Sequence, residues 1–348
     1  MSIWNNSRRR AAAALLAVLA AGCADNAPRQ TPAPVPAPVT DTNNDDSKAA
    51  ALAAVELAGR YWRGNGVPQD DAQAAKWYQR AADSGLSQGE FGIGFCYFNG
   101  RGVPKDYALA ARWFEKAAAQ GNSGAQAELG IMYYNGFGVA HDERRAAALL
   151  TQSAAGGDSV GTYLLSSLYF NWRGVAKDNA QGMVLLRKSA EGGYAGAELA
   201  LGLQYYSGNL IPRDYTLALQ WVGKAVAQDD SRAESAMAAI DLDGKALPKD
   251  EQAALNMAQK AANHGAAADL FTLSSYYWFG TGTAKDHVKA VQLLRQAAEL
   301  GYAKAEYQLG LCYSNGDGVP HDQEQAAAWF AKAAAQKTAA SAAPTSLP

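Results

Sequence analysis

Eight aspartates recur at an unbroken interval of 36 residues: Asp70, Asp106, Asp142, Asp178, Asp214, Asp250, Asp286 and Asp322. A strict long period with no insertion or deletion is the signature of a solenoid, in which each unit buries its apolar face only against its neighbours. The period sets a ruler on which any position is counted from its aspartate. It also favours an extended binding surface over a catalytic pocket. Apolar residues follow helical rather than alternating spacing, so the predicted class is all-α. Eight helix-turn-helix units span residues 49–337.

The chain carries a formal charge of −2 with no clustered excess of Lys and Arg, which excludes a nucleic-acid footprint. Residues 1–22 read as a targeting segment. Arg8, Arg9 and Arg10 precede an apolar stretch, Ala11 to Ala21, too short to span a bilayer as a mature helix. It ends in Leu19-Ala20-Ala21-Gly22-Cys23, which resembles the bacterial lipobox and implies cleavage after Gly22 and lipid modification of Cys23. Ala20 departs from the leucine commoner there; Ala24, in place of aspartate, favours sorting to the outer membrane. The alternative is an ordinary secretory signal with an incidental cysteine. Residues 23–48 form a linker whose Pro28, Pro32, Pro34, Pro36 and Pro38 favour extended backbone. At ~3.1 Å per residue it reaches on the order of 60 Å. Residues 338–348 form an Ala/Ser/Pro-rich tail expected to be disordered. The remaining cysteines, Cys96 and Cys312, share one repeat position and read as small buried hydrophobes.

Within a unit the first helix carries a core stripe such as Ala125, Leu129, Gly130 and Tyr133. Gly94, Gly130, Ser166, Gly202, Ser274 and Gly310 are small residues that admit a closely packed second helix. Glycines such as Gly136 and Gly138 turn the chain. The aspartate then opens the second helix, its carboxylate accepting the free N–H groups of the first turn. That structural role accounts for all eight aspartates without any chemistry.

The pattern Leu-Gly-x-x-Tyr, Gly-x-Gly-Val-x-x-Asp, Ala-x-x-Trp, Ala-Ala, Gly resembles the Sel-one-like repeat (SLR), a relative of the tetratricopeptide repeat, over residues 50–337. The resemblance implies a right-handed α-superhelical solenoid that serves as a protein-assembly adaptor, often secreted or lipid-anchored in bacteria. It also implies that the first helices line the concave side.

No enzyme is read from this sequence, and no cofactor, metal or small-molecule substrate is implied. His141, His264, His287 and His321 lack a second ligand at helical spacing, and no phosphate loop or nucleophile elbow is present. An SLR subgroup linked to β-lactam binding carries paired cysteines in each repeat, which this chain lacks. A partner protein is expected along the first helices. Eight residues before each aspartate stand Trp62, Phe98, Tyr134, Phe170, Tyr206 and Trp278, an aromatic row that either anchors a partner or packs between repeats. The next stripe includes Arg60, Met132, Gln204 and Tyr276; its variability fits either a groove or a solvent face. Units five and six depart most: Leu210 and Ala246 replace glycines, Asp241 replaces the tyrosine, and Asp229, Asp230 and Asp243 make an acidic patch. That patch is either a weak point or a site for a basic surface. The resulting expectation is a lipid-anchored, periplasm-facing envelope scaffold, the alternative within binding function being an immunity protein against a periplasm-acting toxin.

Overall fold

The computed structural model describes residues 44–171 and 173–342. The signal segment, Cys23, the linker up to residue 43 and the tail beyond residue 342 lie outside them. Sixteen helices and no strand are present among the described residues. The first helices of the eight units are α1 (Asn44–Arg63), α3 (Ser87–Asn99), α5 (Ser123–Asn135), α7 (Ser159–Asn171), α9 (Ala195–Ser207), α11 (Ser231–Asp243), α13 (Ala267–Phe279) and α15 (Ala303–Asn315). The second helices are α2 (Asp71–Asp83), α4 (Tyr107–Ala119), α6 (Glu143–Ala155), α8 (Asn179–Glu191), α10 (Tyr215–Ala227), α12 (Glu251–Asn263), α14 (His287–Glu299) and α16 (Gln323–Ala342). The chain divides into two compact units, one ending at Glu198 and one beginning at Leu199. Inside each, a helix packs on the helix before and the helix after it, the arrangement of an all-α solenoid.

Both chain ends extend the array further than the sequence reading allowed. Helix α1 begins at Asn44, within the expected linker, because acidic residues suit a helix N-terminus and Lys48-Ala49-Ala50-Ala51 are strong helix formers. Helix α16 runs to Ala342, into the expected tail. Lys337 stands where earlier second helices are followed by glycine, so nothing stops the alanine-rich run.

Each repeat aspartate caps its helix, and those from Asp70 to Asp286 are extended. Asp106 Oδ1 accepts the Leu109 N–H at 2.9 Å, and Asp142 Oδ1 that of Arg145 at 2.9 Å. The same bond forms at Asp70, Asp178, Asp214, Asp250, Asp286 and Asp322. The aspartate's own N–H donates to the carbonyl nine residues earlier, as from Asp142 to Tyr133 at 2.9 Å, and this closes the turn. Both groups are backbone, so the closure tolerates Asp241 in the tyrosine position, where Asp250 N–H meets its carbonyl at 3.0 Å.

The small residue beside the leucine acts as expected. A Cβ on Gly130 would lie 2.9 Å from Leu150, and one on Gly310 would lie 2.7 Å from the Phe330 ring. The second helix therefore approaches closely enough to bury its eighth residue after the aspartate: Phe114, Leu150, Leu186, Val222 and Leu294 are all 0–2% exposed. Four residues before the aspartate, a glycine meets the previous unit. Gly102, Gly138, Gly174 and Gly282 have positive φ and abut the backbone of Asp71, Tyr107, Glu143 and Glu251, each the first helical residue of the preceding second helix.

The same junction holds a side-chain pair 30 residues apart. Arg101 meets Asp71 at 2.6 Å, Arg173 meets Glu143 at 3.0 Å, and Phe137 stacks on Tyr107 at 5.1 Å. Cys96 and Cys312 are buried and free, and burial pushes both thiols up to about 12.

Candidate functional site

The aromatic row lies at the junction of first helix and turn, and each ring is half-buried. Trp62 meets Phe95 edge-on at 6.0 Å and carries the Arg101 guanidinium 3.6 Å over its face. Phe98 touches Tyr107 at 5.2 Å, Phe114 at 6.5 Å and Phe137 at 6.3 Å. Tyr134 contacts His141 at 6.3 Å, Phe170 lies against Gly182, and Trp278 stacks on His287 at 4.5 Å. Tyr206 packs on Tyr215 at 5.4 Å and donates its hydroxyl to Asp243. Burial and that carboxylate push the Tyr206 hydroxyl upward from its ordinary range. Each ring thus uses one edge on the body of the repeat and keeps another in solvent.

Seven and three residues before the row, the same helix side continues with half-buried apolar groups. In α3 these are Phe91 and Phe95, tilted at 6.1 Å; in α5 the second is Ile131. Phe91, Phe95 and Phe98 therefore form a stripe at helical spacing that the packing leaves partly open.

In the stripe containing Arg60, Met132, Gln204 and Tyr276, the expectation is corrected at Met132 and Tyr276. Met132 is 0% and Tyr276 4% exposed, and their counterparts Cys96, Leu168, Ile240 and Cys312 are buried too. This position faces the preceding unit's second helix, so a partner cannot reach Met132 or Tyr276. Arg60 is half-buried and donates Nε–H to the Asn65 carbonyl at 3.2 Å. It is the one charged residue at this position in the eight units. Gln204 is half-buried, with an Oε1 that has no hydrogen-bond partner.

The acidic patch, left open as a weak point or a site for a basic surface, is paired within the chain. Asp230 caps α11 and holds Arg232 at 2.5 Å, Asp229 pairs with Lys260 at 2.8 Å, and Asp243 pairs with Lys245 at 2.8 Å. Each of the three carboxylates thus has a cation beside it. Asp229 adopts φ +58°, in the left-handed region that its glycine counterparts occupy without strain.

The sequence reading missed a ladder of buried polar groups sixteen residues before the aspartates. Glu90, Gln126, Thr162, Glu234 and Glu306 are 8% exposed or less. Thirty residues on, Gln120 donates to Glu90 at 2.7 Å and Gln336 to Glu306 at 3.0 Å, and His264 Nε2 lies 3.2 Å from Glu234. Lys260 adds a second contact to Glu234 at 2.8 Å. Burial raises the Glu90 carboxyl, against the opposing Lys116 charge and the Gln120 hydrogen bond. These pairs tie the start of each first helix to the end of its own second helix. The signal was readable, since glycine stands 30 residues after Thr162, where Gln or His follows the glutamates.

The Sel1 repeat family model matches residues 51–86, 87–122, 123–158, 159–194, 195–230, 231–265, 266–302 and 303–337. A Sel1 repeat protein from Oxalobacter formigenes, known by crystal structure, is 26% identical over 84% of this chain and 85% of its own, with a TM-score of 0.57. A protective antigen present in uropathogenic Escherichia coli strains, displaying an SLR fold, is 30% identical over 85% of this chain and 73% of its own, with a TM-score of 0.46. The immunity protein Pa5087 from Pseudomonas aeruginosa is 20% identical over 61% of this chain and 81% of its own, with a TM-score of 0.45. No curated protein sequence matches. Sel1 repeats typically mediate contacts between proteins. With all eight units matched from residue 51 to residue 337, the chain belongs to the Sel1 repeat family.

Proposed function

We propose that this chain is a non-enzymatic cell-envelope lipoprotein, anchored through Cys23 to the outer membrane and facing the periplasm, that holds another protein along the first-helix side of its repeats. The observation that carries the binding reading is the half-buried aromatic and aliphatic stripe, Phe91, Phe95 and Phe98 in α3 with Ile131 and Tyr134 in α5. Such side chains are already held in place by the repeat, so docking a partner on them costs little ordering entropy. The lipobox-like Leu19-Ala20-Ala21-Gly22-Cys23 supports the anchor, and the proline-rich stretch after it supplies the reach.

Capture from solubilised envelope, read by mass spectrometry, tests the binding face. Ile131→Ser with Tyr134→Ala loses a partner that wild type retains, whereas Asp142→Ala, which removes a cap worth about 1 kcal/mol, keeps it. Equal capture by the stripe variant, or equal loss by the cap variant, refutes the assignment. Cys23→Ser abolishes incorporation of labelled palmitate; retained label refutes the anchor.

A further inference from the structure

The compact unit ending at Glu198 sorts its charges by helix. Its first helices α3, α5 and α7 contain no Lys or Arg, and of their two glutamates Glu90 is buried and Glu128 half-buried. Each second helix, by contrast, carries two exposed cations. Lys76 and Arg80 in α2, Arg112 and Lys116 in α4, and Arg187 and Lys188 in α8 stand six, nine or ten residues after the aspartate. Helices α2 and α4 pack on the first helix before and the first helix after them, so these positions occupy the side left over. The remaining two, Arg144 and Arg145, open α6, where Arg145 lies over Tyr133 at 4.3 Å and 3.8 Å from Glu115.

Few carboxylates answer these cations. On the same four helices Asp71 and Glu143 are held by Arg101 and Arg173 of the turns. The cap aspartates are engaged at the helix N-termini. Asp83, Glu115 and Glu191 remain, and Asp83 accepts the Gln79 amide at 2.7 Å. Trp77 lies under Arg80 at 5.5 Å and Trp113 under Lys116 at 4.1 Å, contacts that order each cation without neutralising it.

Along the sequence these cations are scattered, and the 36-residue period gathers them. A solvated surface mixes both signs, whereas a face of one sign draws a partner of the other. Beside Arg187 and Lys188 stands Val184, 60% exposed. An apolar side chain among cations suits the boundary between lipid headgroups and acyl chains. The compact unit beginning at Leu199 lacks this pattern. There α10 and α12 carry one cation each, Lys224 and Lys260, and Lys260 is held by Asp229 and Glu234 at 2.8 Å.

We propose that the second-helix face of the compact unit ending at Glu198 docks on anionic phospholipid headgroups, with Lys76, Arg80, Arg112, Lys116, Arg187 and Lys188 at the contact. This docking leaves the first-helix stripe free for a partner protein. The choice of a bilayer over another polyanion rests on the reading of Cys23 as a lipid anchor.

Flotation with vesicles tests this, using the purified full-length Cys23→Ser chain, which carries no lipid. One set is phosphatidylcholine alone and the other equal parts phosphatidylcholine and phosphatidylglycerol. The neutral set reports what residues 11–21 contribute. The expected result is tighter binding to the mixed vesicles, fading with added salt. At about fivefold per cation, Lys76→Glu with Arg112→Glu lowers that partitioning at least ~20-fold. Each new glutamate stands four residues before Arg80 or Lys116, so circular dichroism stays that of wild type. Lys285→Glu with Lys304→Glu, an equal change of net charge at exposed positions beyond Leu199, leaves binding as in wild type. Equal binding to the two vesicle sets overturns the proposal, as does undiminished binding by the Lys76→Glu, Arg112→Glu chain. Equal loss by the Lys285→Glu, Lys304→Glu chain overturns the assignment to this face. A chain that ignores the mixed vesicles but retains an acidic envelope protein through Lys76 and Arg112 assigns the face to a protein instead. Palmitate labelling of wild type tests the anchor separately, so the two failures are distinguishable.

Discussion

Gly318 and Gly265 both have positive φ, +73° and +80°, and both stand in repeat turns. Alanine at either adopts a left-handed conformation that costs an L-residue ~1–2 kcal/mol. Loss of unfolded-state freedom offsets this by ~0.4–1 kcal/mol, so Gly265→Ala, whose Cβ meets nothing within 4 Å, destabilises by about 1 kcal/mol. At Gly318 the same methyl would lie 2.5 Å from the His287 carbonyl oxygen, 2.8 Å from its carbon and 3.0 Å from Val291. Ordinary C···O approach is about 3.3 Å, so the turn and the start of α14 must separate by roughly 0.8 Å. Overpacking against backbone adds ~1–3 kcal/mol, for a total near 3 kcal/mol. Urea unfolding followed by circular dichroism measures both variants, and hydrogen exchange at the N-terminus of α14 localises the effect. A difference between the variants below about 0.5 kcal/mol would falsify the claim that this glycine sets the spacing between repeats.

Two further outcomes follow from buried titratable groups. Burial, reinforced by Asp158, raises the Glu128 carboxyl from 4.5 to about 7, so the native state binds the extra proton between those values. The stabilisation is therefore fully present below about pH 4.5 and lost as pH rises through 7. Each pH step of one between those values removes ~1.4 kcal/mol, on the order of 3 kcal/mol in all. Glu128→Gln removes that loss: its urea midpoint exceeds wild type at about pH 8 and converges with it near pH 4. An equal gap at both values sinks the assignment. Cys96 and Cys312, pushed to about 12 by burial, stay inert to a thiol reagent in the native chain at about pH 8 and react in denaturant. Labelling of either in the native state contradicts their core placement.

The ruler of aspartates was legible because its causes are local. A cap, a turn glycine and a small residue beside a leucine each follow from the backbone geometry of one unit. What the sequence concealed depends on which unit stands next. Arg60 and Gln204 made one stripe look like variable surface, yet Met132 and Tyr276 at the same position are core. Arg60 and Gln204 are half-buried at that position, so polar residues at two units passed for surface variability in all eight. The buried glutamates were hidden for the opposite reason. A charged helical residue is ordinarily read as solvated, and Glu234 at 0% exposure is recognised only with Lys260 and His264 beside it. The aromatic row was ambiguous between anchor and packing; the structure packs each ring on the repeat and leaves it half-buried.

A chain of near-identical units faces a hazard that unlike domains escape: sliding by one whole period during folding. The capping bonds and turn closures are the same in every unit and would be satisfied equally after such a slip. The side-chain pairs 30 residues apart would not. Asp71 is matched to Arg101, Tyr107 to Phe137 and Glu143 to Arg173, so neighbouring joints alternate ionic, aromatic, ionic. A slip of one period would set Phe137 against Asp71 and Arg173 against Tyr107, stranding the carboxylate and the guanidinium from their counter-charges. Uniform backbone contacts make the units stack, and at these three joints the alternating pairs fix the order in which they stack.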